Sequence, residues 1–492
     1  MKIELKDSKL ISLNSDDVLV VPFFTGGKIF YPDEEFKKET KNFSEIFKTL
    51  KEGEFRFVSS SKNQFILCNL GEEKKWNKRR FILSIRKITK FLKDSRVKNA
   101  GLLLDGILPK EADIGNLVQQ TAENIWMGIY EFLGYKTDIS KDYFNFKEIT
   151  LFLADALKYK KDLANGIIIG HGINHARNIS NKPASEMTPK ELARVVFLLD
   201  KHIKNIKVEV FNKKKLEALK MGGILGVAKG SKEEPKLIIL KYLGNSKSKN
   251  IDLVFVGKGV TFDSGGLQIK PGDYMYEMHM DVSGGTAVTG AMTAISELKL
   301  QINIVALIPA VENMPSGQSY KPGDILTSYN GKTIEIIHTD AEGRIILADA
   351  LSYAVKIFKP KMIIDVATLT GAAAVALGQR TIGLVTNTDK EKELREIGEA
   401  SGDYVWPLPC WEEYEEDIKG IFGDIANANR NKIGGGTITA AMFLKNFVDD
   451  TPWVHLDIAP TMVSIDNQGL AKGATGTGVR YLVKLAQEFK RI

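Results

Sequence analysis

Between residues 236 and 367 short apolar runs alternate with helical stretches, and the runs themselves carry no polar alternation. Lys236–Tyr242, Asp252–Val256, Ile302–Ile308 and Met362–Ala367 are such runs, with helical periodicity over Thr286–Leu298 and Arg344–Phe358 between them. A strand with one wet face alternates apolar and polar side chains, whereas a strand that is apolar throughout is buried on both faces. Helices covering both faces of a largely parallel sheet meet that requirement, so this region reads as a doubly wound α/β domain. Asn330-Gly331, between apolar runs, predicts a tight hairpin turn.

The first third of the chain reads as a smaller α/β unit. Strands are expected at Asp17–Phe24, Gln64–Asn69 and Ala100–Leu104, and helices at Ala112–Leu133 and Tyr143–Lys160. At 492 residues the chain exceeds what one ordinary core supports. We therefore expect domains at 1–165 and 166–492, linked by a helix over Asn165–Ile179 (linker about 165–180).

Composition removes several classes. The two cysteines, Cys68 and Cys410, lie far apart without a Cys-x-x-Cys spacing, which excludes a disulfide framework and a thiolate zinc site. The net charge of +7 is small for this length and comes from Lys-rich segments such as Lys213–Lys215 and Lys247–Lys249. Solvated faces explain it better than a nucleic-acid stripe. No stretch reaches the ~18 apolar residues of a membrane span. The N-terminal segment mixes both charges, unlike a signal peptide. A cytoplasmic protein without membrane contact is expected.

Three clusters place ionisable residues against apolar or glycine-rich sequence. Val256–Gly272 holds Lys258, Asp263 and Lys270, and starts where the strand Asp252–Val256 should end. Ligand sites of open α/β sheets lie beyond the carboxyl ends of strands. Met278–Gly285 sets Asp281 at a helix entry. His338–Arg344 (HTDAEGR) separates a strand from a helix; in an extended turn Asp340 and Glu342 would face one side, and Arg344 would begin the helix, where an anion is favoured. Taken singly, each acid fits a solvated loop or an N-cap. Together, four carboxylates, two lysines and an arginine approach what a two-cation site needs.

Rival motifs fail. Gly257-Lys258 lacks the P-loop pattern, and neither Ser264 nor Ser283 sits in a Gly-x-Ser-x-Gly elbow. His171 and His175 are four apart, but Gly172 stands where a zincin needs Glu.

At these clusters the chain resembles the leucyl aminopeptidase (cytosol aminopeptidase) family. The resemblance is carried by HTDAEGRIILADAL (338–351), the lysine–aspartate loop (256–272), DVATLTG (365–371), GGGTITAAMFL (434–444), WVHLDIA (453–459) and GATGTGVR (473–480), and more weakly by IYEFLGYKT (129–137). It covers essentially the whole chain. His338 departs from the usual Asn, and Pro460 stands where glycine is common.

The resemblance implies a macro-like N-terminal domain, a catalytic domain and hydrolysis of the N-terminal residue of peptides, with Leu-like residues preferred. It implies two divalent cations (Zn²⁺ or Mn²⁺, with Mg²⁺ or Co²⁺ as alternatives) held by Lys258, Asp263, Asp281, Asp340 and Glu342, with a bridging hydroxide as nucleophile. The family's catalytic side chains fall on Lys270 and Arg344, and a bicarbonate ion falls at Gly343 and Arg344. The pocket for the first side chain falls on Met278, Thr368, Gly371, Ala459 and Met462. A homohexamer is also implied. DNA binding stands as an alternative role, because some relatives bind DNA and the chain is slightly basic.

Overall fold

The computed structural model describes all residues except 12–16, 28, 111, 140–143, 145, 204 and 431–433. Packing separates the chain into two compact units, Met1–Gly170 with Ile465–Ala471, and His171–Ser464 with Lys472–Ile492. The division falls inside one helix, Lys160–Ser180.

The first unit is a six-stranded sheet of β1 (Lys2–Lys6), β2 (Val18–Phe23), β3 (Phe55–Ser59), β4 (Gln64–Asn69), β5 (Asn99–Leu103) and β6 (Glu148–Phe152), in the order β1-β6-β5-β2-β4-β3. All neighbours are parallel except β3 and β4. The unbroken apolar run of β2 has a simple cause. Val18 and Val20 enter one core cluster, and Leu19, Val21 and Phe23 enter the other, on the opposite face. Helix Lys78–Asp94 supplies Phe81, Ile85, Ile88 and Leu92 to the first cluster at helical spacing, and Asn77 caps it by accepting from Arg80 N at 3.1 Å.

The helix expected over Tyr143–Lys160 is not formed. Tyr143 lies outside the described residues, and Glu148–Phe152 is strand β6, paired in parallel with β1 and β5. Its residues EITLF, buried after the first, suit a strand with neighbours on both sides, and that pairing overrides an apolar spacing that also fits a helix. Helix resumes at Lys160 and runs to Ser180, beyond both ends of the linker helix expected from sequence.

The second unit is built on a nine-stranded sheet. Its strands are β7 (Ile206–Phe211), β8 (Lys236–Leu243), β9 (Leu253–Gly257), β10 (Gly259–Asp263), β11 (Asn303–Asn313), β14 (Met362–Ala367), β15 (Ile382–Thr386), β16 (Val405–Pro407) and β18 (Trp453–Asp457). A small sheet holds β12 (Ile325–Thr327), β13 (Thr333–Glu335) and β17 (Ile425–Ala426). The large sheet runs β16-β15-β18-β14-β9-β11-β8-β7, with β10 also on β11. The central run β18-β14-β9-β11 is parallel, and antiparallel pairs lie nearer the edges. Asn330-Gly331 turns the β12–β13 hairpin, with Gly331 at φ +93°.

The glycine-rich stretch expected to be a loop from residue 256 holds a strand. β9 ends at Gly257, Lys258 falls between strands, and β10 pairs in parallel with the end of β11. Its glycines serve close packing: a Cβ on Gly257 would lie 2.6 Å from the Gly284 carbonyl oxygen. The third cluster also differs from expectation, because the helix starts at Glu342 rather than Arg344, so Asp340 precedes the helix and Glu342 is inside it. Strand ends and the starts of helices Ser283–Glu297 and Glu342–Phe358 therefore collect the ionisable residues.

Within the small sheet, at the end of β13, burial pushes the Glu335 carboxyl up. Arg430, at 2.5 Å, and the N–H groups of Ile421 and Phe422 more than offset this and hold it at about 2. Unfolded Glu titrates at about 4.3. The stabilisation is therefore present above that value and lost as pH falls towards 2. Glu335→Gln should cost about 1–3 kcal/mol at pH 7. Thermal midpoints of the two proteins should converge between pH 5 and pH 2, and curves that stay parallel would refute this account.

Candidate metal centre

Lys258 leaves the sheet at the β9–β10 junction, where its buried ammonium lies 2.9 Å from Asp281 Oδ2, 2.8 Å from Glu342 Oε1 and 2.9 Å from the Thr368 carbonyl oxygen. Lys270 lies 2.8 Å from Asp263 Oδ2 and also pairs with Asp340 Oδ1. Carboxylate oxygens of Asp263, Asp340 and Glu342 all lie within 4.8 Å of one another. The structure thus brings together Lys258, Asp263, Lys270, Asp281, Asp340 and Glu342 from three separated segments.

Their electrostatics follow from burial among like charges. Burial, then neighbouring Asp263, push the Glu342 carboxyl up to about 7, and burial with Asp263 and Glu342 does the same for Asp340. Asp281 is likewise raised by burial. Burial alone would lower the Lys258 ammonium, but Asp281, Glu342 and Asp263 outweigh it and keep the proton firmly on. Glu342 Oε2 is buried with no hydrogen-bond donor. Three carboxylates at such range and Asp281 across Lys258, with one oxygen of Glu342 that no donor satisfies, are a donor set suited to hard divalent cations.

Arg344 is buried two residues into its helix. Its Nη1 donates to the Asn427 carbonyl oxygen at 2.9 Å, while Nε has no partner. Burial lowers this guanidinium to about 10, so it stays charged at neutral pH. Gly343 faces Lys258. Thr368 borders the cluster directly, its hydroxyl donating to Asp281 Oδ1 at 2.5 Å. Gly371, exposed, opens the short helix after β14. Ala459 and Met462, both partly exposed, follow β18, and Met278, also partly exposed, precedes Asp281.

Several residues that shape the site carry no ionisable signal of their own. Thr339 exchanges two bonds with Gln268, accepting from its N–H at 2.9 Å and donating N–H to its Oε1 at 2.7 Å, which joins the first and third clusters. Asn427 accepts from Ile337 N at 2.7 Å and donates to the His338 carbonyl oxygen at 2.7 Å. Asp457, fully buried, accepts from the N–H groups of Leu369 and Ala459 and from the Thr370 hydroxyl at 2.6 Å, binding the loops after β14 and β18. Nothing in their sequence context marks these residues as part of the site; Asp457, for one, ends a strand that already carries the polar His455. His338, the departure from the family's Asn, accepts from Asp340 N through Nδ1 at 3.2 Å.

Residues 174–483 match the model of the cytosol aminopeptidase family, catalytic domain, and residues 49–138 match the family's N-terminal domain. The chain belongs to the cytosol aminopeptidase family. It is 41% identical to the probable cytosol aminopeptidase of Clostridium tetani (strain Massachusetts / E88), over 89% of this chain and 90% of that protein. It is 42% identical to that of Solibacter usitatus (strain Ellin6076), over 82% of each. The solved structure of the bottromycin maturation enzyme BotP in complex with Mn shares the fold at a TM-score of 0.84 and 27% identity, covering 97% of this chain and 100% of that one. As a cytosol aminopeptidase the protein is a metal-dependent exopeptidase that hydrolyses peptides at the amino end. Among the described residues no helix is long and apolar enough to cross a membrane.

Gly343 offers a direct check on the geometry of this aminopeptidase. A Cβ there would lie 2.6 Å from Lys258 Cε and 2.8 Å from its Nζ. Helix propensity alone favours Ala over Gly by about 1 kcal/mol. The clash must instead move an ammonium held by three acceptors. Gly343→Ala is expected to leave the thermal midpoint within a few degrees while kcat/KM drops about 100-fold or more. Full activity in this variant would show that the Lys258 position is not critical.

Proposed function

We propose that this aminopeptidase binds two divalent cations through Lys258, Asp263, Asp281, Asp340 and Glu342 and prefers Leu-like amino-terminal residues. The observation that carries the proposal is the gathering of carboxylate oxygens from Asp263, Asp340 and Glu342 within 4.8 Å, beside the buried Lys258. Zn²⁺ or Mn²⁺ suits a set of oxygens with one amine, with Mg²⁺ and Co²⁺ as alternatives. When bound, the cations supply Lewis acidity to water and to the substrate carbonyl.

The chain's own groups then have distinct tasks. Lys270, still slightly open to solvent, keeps its proton because Asp263 and its neighbours outweigh burial. Its ammonium is placed to donate to the carbonyl oxygen of the scissile bond and to hold the negative charge that develops there, worth a few kcal/mol for a well-aimed donor. Arg344, with Gly343 beside it near the helix start, would hold a bicarbonate ion as the catalytic base. The unpartnered Nε and the positive helix end support an anion there.

Met278, Thr368, Gly371, Ala459 and Met462 would line the pocket for the first side chain, and the adaptable methionines suit loose selectivity for apolar residues. A free α-amine would be recognised among the ligands beside Asp281, which restricts cleavage to the chain end. A cytoplasmic homohexamer acting on peptides is part of the same reading.

Manganese-loaded protein should release leucine from Leu-Gly and leave acetyl-Leu-Gly intact, as read by amino-acid analysis. Chelation should abolish the release, and readdition of manganese should restore it. Lys270→Ala is expected to lower kcat by about 10²–10³ with both cations retained. Cleavage of the acetylated peptide at a similar rate would sink the assignment.

A further inference from the structure

Asn313 closes the long apolar strand β11, and no step of peptide hydrolysis calls for an amide at that place. The parallel register of β10 on β11 sets Asn313 beside Asp263. This register depends on an irregularity between Val260 and Phe262, which leaves Thr261 as the extra residue and re-aims Asp263. Both side chains are buried. Asn313 Nδ2 donates to Asp263 Oδ1 at 2.9 Å and to the Thr339 carbonyl oxygen at 3.0 Å.

Both of those neighbours are acceptors, so only the NH₂ end of the amide can face them. Reversed, the amide would crowd oxygen against oxygen. Asn313 Oδ1 is left buried without a donor, and Gly266 packs close enough that a Cβ added to it would lie 2.9 Å from this oxygen. An unsatisfied oxygen of this kind is a standing cost, tolerated where the group's orientation matters. Asp263 Oδ1 also accepts from Gly265 N at 2.9 Å. Two N–H groups therefore occupy one oxygen of this carboxylate, while Oδ2 faces the Lys270 ammonium at 2.8 Å.

We propose that Asn313 is a positioning residue that locks the Asp263 carboxylate so that Oδ2 is the oxygen presented to a divalent cation. The same amide ties Asp263 to Thr339, the residue before Asp340, and so fixes the distance between a carboxylate at the end of β10 and one in the turn before the helix Glu342–Phe358. The inference rests on the reading of Asp263 as a cation ligand. It goes further in making a neutral amide, outside the ligand set, a determinant of cation affinity.

Asn313→Leu keeps the same branching at Cγ with a larger volume and removes both donors, and the smaller Asn313→Ser serves where the leucine variant does not fold. Manganese affinity and stoichiometry are measured by calorimetry, and the thermal midpoint of the cation-free protein is measured separately. One of the two manganese ions should bind about 10–100-fold more weakly in the variant. A lowered cation-free midpoint with unchanged manganese affinity would mean an ordinary core hydrogen bond and would overturn the inference. Asp263→Asn, tested alongside, separates the two levels. If it binds both ions as wild type does, the ligand reading itself fails. If it loses an ion while the Asn313 variants do not, only the role of Asn313 fails.

Discussion

Four carboxylates share one small, mostly dry volume, and their mutual repulsion is the constraint around which the rest of the catalytic unit is arranged. Two lysines relieve it in part: Lys258 lies between Asp281 and Glu342, and Lys270 between Asp263 and Asp340. Buried ion pairs are weak sources of stability, because the desolvation of both partners consumes most of the attraction. The cluster cannot hold its own loops in place. Neutral and backbone hydrogen bonds do that work around it, through the Thr339–Gln268 exchange, the clasp of Asn427 on residues 337–341, and the loop tie at Asp457.

The sheet provides the rigid base that these ties need. Four central strands, β18, β14, β9 and β11, run in parallel, so their carboxyl ends point to one edge. Helices Ser283–Glu297 and Glu342–Phe358 begin near the same groups, and their positive ends offset a crowd of anions. Close approach is equally necessary. Gly257 lets β9 approach the start of the first helix, and Gly343 leaves room for the Lys258 side chain. A cluster of charges assembled from three segments is therefore placed by backbone geometry, and the charges settle into positions already determined.

The legible parts of the sequence were those where one residue pattern had one structural meaning. Gln64–Asn69 and Met362–Ala367 are strands as read, because side chains that are apolar on both faces have no other comfortable place. Glu148–Phe152 is a strand where a helix was expected, because the four apolar and β-branched residues after Glu148 fit a short strand and a helix face alike, and only the pairing with β1 and β5 decides between them. β10 is hidden in the sequence by the glycines in and around it, Gly257, Gly259, Gly265 and Gly266, which usually mark loops; Gly257 and Gly259 here permit close packing. The ionisable clusters can be located, but nothing in the sequence between Lys258 and Asp340 states that they meet. Their convergence was readable through family resemblance alone. Asn313 and Asn427 carried no signal, since an asparagine acquires its meaning from partners 26 to 90 residues away.

The charge on Lys258 shows why geometry has to come before chemistry in such a site. An ammonium has no lone pair to give a cation, and the surrounding carboxylates hold the proton on Lys258 against the effect of burial. The same carboxylates that attract a divalent cation thus also stabilise the form of the lysine that cannot bind it. To serve as a ligand, Lys258 would have to give up its proton, and a divalent cation held by the same carboxylates would supply the positive charge that the ammonium provides now. A lysine on a flexible loop would respond by swinging into solvent with its charge intact. Lys258 is pinned between two strands and enclosed by the helix that carries Gly343, so on cation binding the loss of its proton would be the route left open. Rigid placement at the β9–β10 junction is what turns an ordinary ion-paired lysine into a candidate metal ligand.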